Sequence, residues 1–333
     1  IVSSCGQPAF RTKQLHEWIS VKNVCSFEEM TNLPKTLRAA LEEEYCFNTP
    51  KEIVKQVSRD GSRKYLLEFS DGISVETVGM PTRNKLSVCV STQAGCGMGC
   101  AFCATGLSGL TRSLTAREIV DQVLHVSQDF GERVTSVVFM GQGEPFNNFD
   151  NVLEALRTLN DPEGLAIGAR HLTVSTSGII PGIRRFADLP EQFTLAISLH
   201  SAIQSTRNQL MPGVKKFTLP RLHEAIQLYV EKTGRRPTYE YAMIDGVNDS
   251  VEDARELIGR LKGLPAHFNL IPLNHVEESP LKPSSKAAVA LFQKTLEDAG
   301  IPATVRRTLG GDIDASCGQL RRKYTQCKQE RKI

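Results

Sequence analysis

The 333-residue sequence has no run of about 18 apolar residues, so nothing in it reads as a transmembrane helix. Its opening, I-V-S-S-C-G-Q, lacks the apolar core of a signal peptide. A cytoplasmic protein is therefore expected, and a chain that begins at Ile1 is expected to lack some native N-terminal sequence. Net charge is also scarce: 40 basic less 37 acidic residues leave +3, which by itself announces no nucleic-acid partner. Nine cysteines fall short of the density of a small secreted disulfide framework, so reduced thiols, metal ligands and catalysis are the better readings. No second C-x2-C pair is present to complete a tetrahedral structural zinc site.

What the chain does have is the run G-C-G-M-G-C-A-F-C-A-T-G, which sets Cys96, Cys100 and Cys103 at C-x3-C-x2-C spacing on a Gly-rich loop after an apolar strand. Cys thiolates hold iron–sulfur clusters, and a four-iron cubane needs four ligands, so three thiols leave one iron open. S-adenosylmethionine (SAM) bound there through its amino and carboxylate groups accepts an electron and splits to a 5′-deoxyadenosyl radical, one of the hard reactions that cofactors carry. The loop reads as a radical-SAM [4Fe-4S] site. Zinc, or merely buried thiols, are the blander readings; the spacing and Phe102 just before the last thiol favour the cluster.

Apolar content of 40% and charged content of 23% are ordinary for a globular chain of this length, in one large domain or two. Residues 1–50 carry short helical patterns, with Leu15, Trp18 and Ile19 on one face and Leu37, Leu41 and Tyr45 on another, and form a small helical accessory module. Residues 51–84 alternate as strands with turns at Asp60-Gly61 and Asp71-Gly72, the signature of antiparallel hairpins forming an extension or linker to the main sheet. From 85 to 320 six apolar strands, K-L-S-V-C-V-S, V-T-S-V-V-F-M, H-L-T-V-S-T, F-T-L-A-I-S-L, T-Y-E-Y-A-M-I and H-F-N-L-I-P-L, alternate with helical segments. That rhythm predicts an α/β fold, a parallel sheet wound as a partial (β/α)6 barrel, with a doubly wound sheet as runner-up. Residues 321–333 are a basic tail without a periodic apolar face.

Functional groups gather at the C-terminal ends of such strands. Gly143 and Glu144 follow the second strand, Ser175 ends the third, Ser198, Leu199 and His200 end the fourth, and Asn274 ends the sixth. Glu144 can accept hydrogen bonds from the amino group of SAM, and the others offer polar groups to its ribose, carboxylate and adenine. Each taken singly also reads as a turn or a cap. Cys89, on the strand entering the cluster loop, and Cys317, in a Gly- and Asp-rich segment, read as buried structural thiols by default, although an exposed Cys317 thiolate could be a nucleophile. Glu76, alone on its strand, reads as a solvent-facing residue.

With these residues in view, the sequence resembles the RlmN/Cfr family, radical-SAM enzymes that methylate an aromatic carbon of one adenosine in large-subunit ribosomal RNA. The likeness runs from G-Q-P-A-F-R through E-M-T-N-L-P, C-V-S-T-Q-A-G-C, M-G-Q-G-E-P, S-L-H-S, E-Y-A-M-I-D-G-V-N-D-S and N-L-I-P-L-N to D-I-D-A-S-C-G-Q-L, nearly the whole chain. It implies that Cys317 is methylated by a first SAM in a polar displacement, and that a second SAM, cleaved at the cluster on Cys96, Cys100 and Cys103, yields the radical that takes hydrogen from this methyl group. The carbon then adds to adenine, Cys89 resolves the protein–RNA adduct by forming a disulfide with Cys317, and Glu76 accepts the proton. Gly143, Glu144, Ser175, Ser198, Leu199, His200 and Asn274 match the SAM-contacting positions.

The resemblance also implies 23S ribosomal RNA as partner, in some members an adenosine beside the tRNA anticodon, and an electron donor such as flavodoxin, with no membrane. Pro145 and the complete N-terminal module look more like the branch that methylates adenine C2 than its antibiotic-resistance sister acting at C8. A radical-SAM activase of a protein glycine would leave Cys89 and Cys317 unexplained, and a vestigial RNA-binding protein would not need Cys317 or Glu76. Departures from the family pattern are Gln142 in place of Met, His275 in place of the commoner Pro, and 13 residues beyond Leu320. Phosphate contacts are expected from Arg306, Arg307 and the tail, or else from Arg11, Lys13 and Lys22.

Overall fold

The computed structural model describes residues 2, 5–22, 24, 26–47, 49–273, 279–307, 309–310, 312–313, 318–321 and 324. Asn274, Cys317 and most of the basic tail therefore lie outside the described residues.

Among the described residues twelve strands follow the sequence: β1 (Lys51–Val57), β2 (Arg63–Glu68), β3 (Ser74–Thr82), β4 (Lys85–Cys89), β5 (Gln93–Gly95), β6 (Leu110–Ser113), β7 (Val134–Phe139), β8 (Leu172–Thr176), β9 (Thr194–Ser198), β10 (Thr238–Met243), β11 (His267–Pro272) and β12 (Ala303–Val305). Ten of them make one sheet in the order β1-β2-β3-β4-β7-β8-β9-β10-β11-β12. The first three pairings are antiparallel and the rest parallel. Strand order never reverses among the described residues, so the parallel part winds in one direction, as an open barrel does, and not outward from a switch point as in a doubly wound sheet. The six apolar runs are β4 and β7 to β11. The three-residue β12 adds a seventh parallel strand too short to leave a pattern. Residues 51–84 are no separate linker in the sheet: β3 pairs with β4 and carries the antiparallel edge straight into the parallel part.

Helices cover the outside: α1 (Phe10–His16), α2 (Lys35–Glu44), α3 (Ala104–Leu107), α4 (Ala116–Phe130), α5 (Phe149–Asn160), α6 (Ile180–Ala187), α7 (Gln204–Leu210), α8 (Leu219–Thr233), α9 (Val251–Arg260) and α10 (Lys286–Asp298). α4 shows why they form where they do. Thr115 and Glu118 cap its first turn reciprocally, Ile119, Val120, Val123 and Val126 recur on its buried face, and Gly131 ends it. The N-terminal module packs a core of its own from Leu15, Phe27, Met30, Leu33, Leu37 and Leu41. Tyr45, expected on the buried face of α2, is exposed because the helix ends at Glu44 and the chain turns extended.

Candidate functional site

The three-thiol loop is the excursion of a small hairpin. β5 pairs antiparallel with β6, and the Cys96 N–H donates to Gly109 O at 2.8 Å. The Cys103 N–H turns back to Cys100 O at 3.1 Å, and α3 starts at the next residue. From the other side, Leu210 O accepts the Ala101 N–H and Met98 O accepts the Gly213 N–H, each at 2.9 Å, so the end of α7 braces the loop. Burial pushes the Cys96 thiol up to about 11 and raises Cys100 as well, where the neighbouring thiols add to the effect. Both thiols are therefore protonated at neutral pH in the apo protein, and metal would have to displace those protons.

Cys96, Cys100 and Cys103 line a cavity of about 350 Å³ together with Cys89, Gly143, Glu144, Ser175, Ser198 and His200. Among the described residues no three His, Cys, Asp or Glu side chains converge on a single metal ion. Thiols that share one cavity wall without meeting at one point fit a cluster, in which each thiolate takes a separate iron.

Gly143 lies against Gln93. Its φ is +102°, and a Cβ there would sit 2.6 Å from Gln93 Cβ. Gln93 Oε1 in turn accepts the Glu144 N–H at 2.9 Å. Glu144 is wholly buried, which raises its pKa, and its carboxylate accepts four bonds. Thr176 Oγ1 (2.7 Å) and Phe146 N (3.1 Å) donate to Oε1, while Ser177 N (2.7 Å) and Ser177 Oγ (2.6 Å) donate to Oε2. A carboxylate has about four acceptor sites, so a ligand amino group reaches Glu144 only by sharing one of these or displacing it.

Ser175 and Ser198 lie across from one another with hydroxyls 3.4 Å apart. His200 is buried at φ +56°; its Nδ1 accepts the Ala242 N–H at 2.9 Å, which assigns the ring proton to Nε2. Burial lowers its pKa to about 3, so it stays neutral at any working pH and offers the cavity a donor. Leu199 turns away: its side chain lines a separate pocket between α8 and α9, and only its N–H faces the strand ends, donating to Glu240 O. Two residues that sequence reasoning passed over join this layer. Glu240 lines the cavity, buried, with a raised pKa and an Asn269 Nδ2 bond of 3.0 Å; Arg207 is completely buried behind the cluster loop. Neither carries a motif; an ionisable residue inside an apolar strand was the available signal for Glu240.

Glu76 is the clearest correction. It is buried, 3% exposed, instead of facing solvent, and pairs with the equally buried Lys64 at 2.9 Å. Its carboxylate also accepts the Gly318 N–H (2.6 Å) and the Arg321 N–H (2.7 Å), so it holds the segment just after Cys317. Gly318, at φ +87°, is pressed so closely on the cluster loop that a Cβ would come within 2.4 Å of Thr105 N. On the other side of Cys317, the β1–β2 turn holds the chain. Asp60 accepts the Gly310 N–H at 2.7 Å, Asp312 accepts the Arg59 N–H at 3.1 Å, and Ser58 Oγ donates to Asp312. The antiparallel edge of the sheet thus holds Gly310 and Asp312 on one side and Gly318 and Arg321 on the other. No disulfide links two of the described cysteines. Cys89 is buried on the cavity wall, and the expected partner Cys317 lies outside the described residues, as does Asn274.

Of the basic groups, Arg306 and Arg307 are exposed at the cavity rim, whereas Arg321 is half-buried and burial lowers its pKa. Lys13 and Lys22 pair with Glu163 and Glu17, and Arg11 bonds Gln14 and Asn32 O. No helix among the described residues is long and apolar enough to cross a membrane.

The mooring is sensitive to acid. The Gly310 bond, more than any other contact, holds Asp60 at about 2 against an ordinary 3.8. A depressed carboxyl contributes fully above its unfolded value, and that contribution is lost as pH falls through its folded value. The Gly310 amide resonance is expected to move as pH falls from about 3 to about 1, with a midpoint near 2, and to stay flat in Asp60→Asn. A midpoint near 3.8 would show that the bond does not persist in solution.

Residues 90–258 match the radical SAM superfamily, and residues 1–47 match the ribosomal RNA large subunit methyltransferase N-terminal domain. A protein of Geobacillus kaustophilus named a probable dual-specificity RNA methyltransferase RlmN is 50% identical over 321 residues, covering 96% of this chain and 88% of the relative. Its namesake from Staphylococcus aureus is 51% identical over 324 residues, 96% of this chain and 89% of the relative. The crystal structure of a radical SAM methyltransferase from Sphaerobacter thermophilus superposes with a TM-score of 0.92 at 42% identity, over 96% of this chain and 94% of that one. With likeness at this level along nearly its whole length, and a three-thiol loop facing the strand-end cavity of a one-way parallel sheet, the chain belongs to the RlmN family of the radical SAM superfamily.

Proposed function

We propose that this protein is a radical-SAM RNA methyltransferase that transfers a methyl group to C2 of an adenosine in 23S ribosomal RNA through a methylated Cys317, using two SAM per turnover. The same chemistry extends to an adenosine next to the tRNA anticodon, as the dual specificity in its relatives' names suggests. The observation that carries this reading is the seating of Gly318. The residue following Cys317 is bonded to Glu76 and packed on Thr105, two residues after the last cluster thiol, which supports a shared site for methyl carrier, proton acceptor and cluster thiols.

Cys96, Cys100 and Cys103 would hold a [4Fe-4S] cluster, which with SAM supplies hydrogen-abstracting radical chemistry when bound. The chain's own residues do the rest. Gly143, Ser175, Ser198 and His200 line the space for SAM, with Glu144 fixing the Gly-rich turn and Asn274 contributing from the end of the sixth strand. The Cys317 thiolate takes the methyl group from SAM, releasing S-adenosylhomocysteine. Once the methyl carbon is bonded to C2, Glu76 accepts the proton lost from C2; the Cys89 thiolate then attacks the Cys317 sulfur, the sulfur–carbon bond breaks with its electron pair passing to the RNA-bound carbon, which takes up a proton to become the methyl group, and a Cys89–Cys317 disulfide remains. A flavodoxin-like donor fits the need for single electrons. Arg306 and Arg307 at the rim supply phosphate contacts, and the target base leaves its stack at a cost of roughly a few kcal/mol.

Mass spectrometry of a ribosomal RNA fragment treated with reconstituted protein, SAM and reductant should give 2-methyladenosine. Cys89→Ala should be isolated with RNA attached at Cys317, and Cys317→Ala should never carry it. 8-Methyladenosine as product would move the protein to the sister branch. RNA-free behaviour of both variants would remove the division of roles between the thiols.

A further inference from the structure

Among the described residues, Lys64 on β2 and Arg207 on α7 are fully buried cations, and they differ in how they are matched. Lys64 has Glu76. Arg207 has no carboxylate partner among the described residues: its Nη2 donates to Ser177 O at 2.6 Å, while its Nε and Nη1 are buried with nothing to bond. A guanidinium does not give up its charge at neutral pH, and an unpaired buried charge is costly. A hydrophobic residue would fill the space more cheaply, so the charge calls for an anion, and no carboxylate among the described residues supplies it.

Its surroundings indicate which anion. Arg207 sits on α7, whose last carbonyl, Leu210 O, accepts the N–H of Ala101 between Cys100 and Cys103. Its Nη2 lies 2.9 Å from where a Gly178 Cβ would stand, against the segment that holds Glu144. The charge is felt at both Cys100 and His200. Arg207 does not line the cavity, yet its charge reaches Cys100, so it acts on the cluster loop through the protein interior and not by touching a cavity ligand.

We propose that Arg207 is a positioning residue that holds a fixed counter-charge beneath the cluster loop and favours the reduced state of a cluster bound to Cys96, Cys100 and Cys103. The proposal rests on the cluster reading above. Three thiolates make the loaded loop anionic, and reduction adds one more negative charge. A nearby cation in a low-dielectric interior stabilises the more negative state, so it raises the reduction potential.

The test compares reconstituted wild type, Arg207→Gln and Arg207→Lys without RNA or SAM. Gln keeps a donor for Ser177 O and removes the charge; Lys keeps the charge. Iron and sulfide are assayed first, then the cluster is titrated electrochemically with electron paramagnetic resonance of the reduced form. Arg207→Gln should hold as much iron as wild type, with a reduced-to-oxidised ratio at fixed potential lower by about tenfold, ~59 mV for one electron. Arg207→Lys should lie close to wild type. A Gln variant that folds but takes up no iron would show that Arg207 is needed to build the cluster site, and would overturn a role confined to favouring the reduced state. Equal potentials in all three proteins with full iron would reduce Arg207 to packing and overturn the proposal. Wild type that takes up no iron would overturn the cluster reading itself.

Discussion

Lys64→Met is expected to destabilise the protein by about 3–5 kcal/mol, the range found when one partner of a buried ion pair is removed and the other is left uncompensated. The size follows from burial: Lys64 and Glu76 are 0% and 4% exposed at their side chains, so water cannot take over from the missing ammonium. Urea unfolding at unchanged m-value measures the loss. Glu76→Gln should also destabilise, but the double variant Lys64→Met/Glu76→Gln should be more stable than the sum of the two losses predicts, because it buries no lone charge. It should still fail to methylate RNA, since Gln cannot accept the proton assigned to Glu76. Strictly additive losses would show that the 2.9 Å contact carries no coupling and that Lys64 does not set Glu76 in place.

The same pair marks where the sequence stops being readable. Strands β7 to β11 announce themselves because every residue in them is buried or half-buried, so they appear as apolar runs, and the cluster loop announces itself by thiol spacing. β2 obeys neither rule: Lys64, Tyr65, Leu66 and Leu67 are all buried in succession, so alternation would put Lys64 in water. What covers Glu76 is a segment 242 residues further along, and no local pattern encodes that distance. Glu240 and Arg207 were missed for the same reason, since their burial is a property of the closed sheet and of the loop that packs on it. The roles of Cys89, Cys317 and Glu76 came from family resemblance alone. The geometry contributes something resemblance did not: the antiparallel strands hold the Cys317 segment from Gly310 on one side and from Gly318 and Arg321 on the other.

Gly318→Ala is expected to cut RNA methylation by about 100-fold or more while leaving the fold intact. Two independent costs meet at this residue. A non-glycine residue at φ +87° pays about 1–3 kcal/mol of backbone strain, and its Cβ would stand 2.4 Å from Thr105 N and 2.6 Å from Thr105 Oγ1, so either the loop or α3 must move. α3 starts immediately after Cys103 and is braced by the hairpin and α7, so residue 318 is expected to give way instead. Lifting residue 318 stretches the 2.6 Å bond to Glu76 and would shift the adjoining Cys317, the proposed methyl carrier, and a misplacement of about 1 Å at reacting groups costs about 100-fold in rate. The barrel core does not include this contact, so the unfolding midpoint should change little, and SAM cleavage without RNA should continue at the wild-type rate. Methylation within threefold of wild type would mean that the Cys317 segment does not sit against Thr105 when it works.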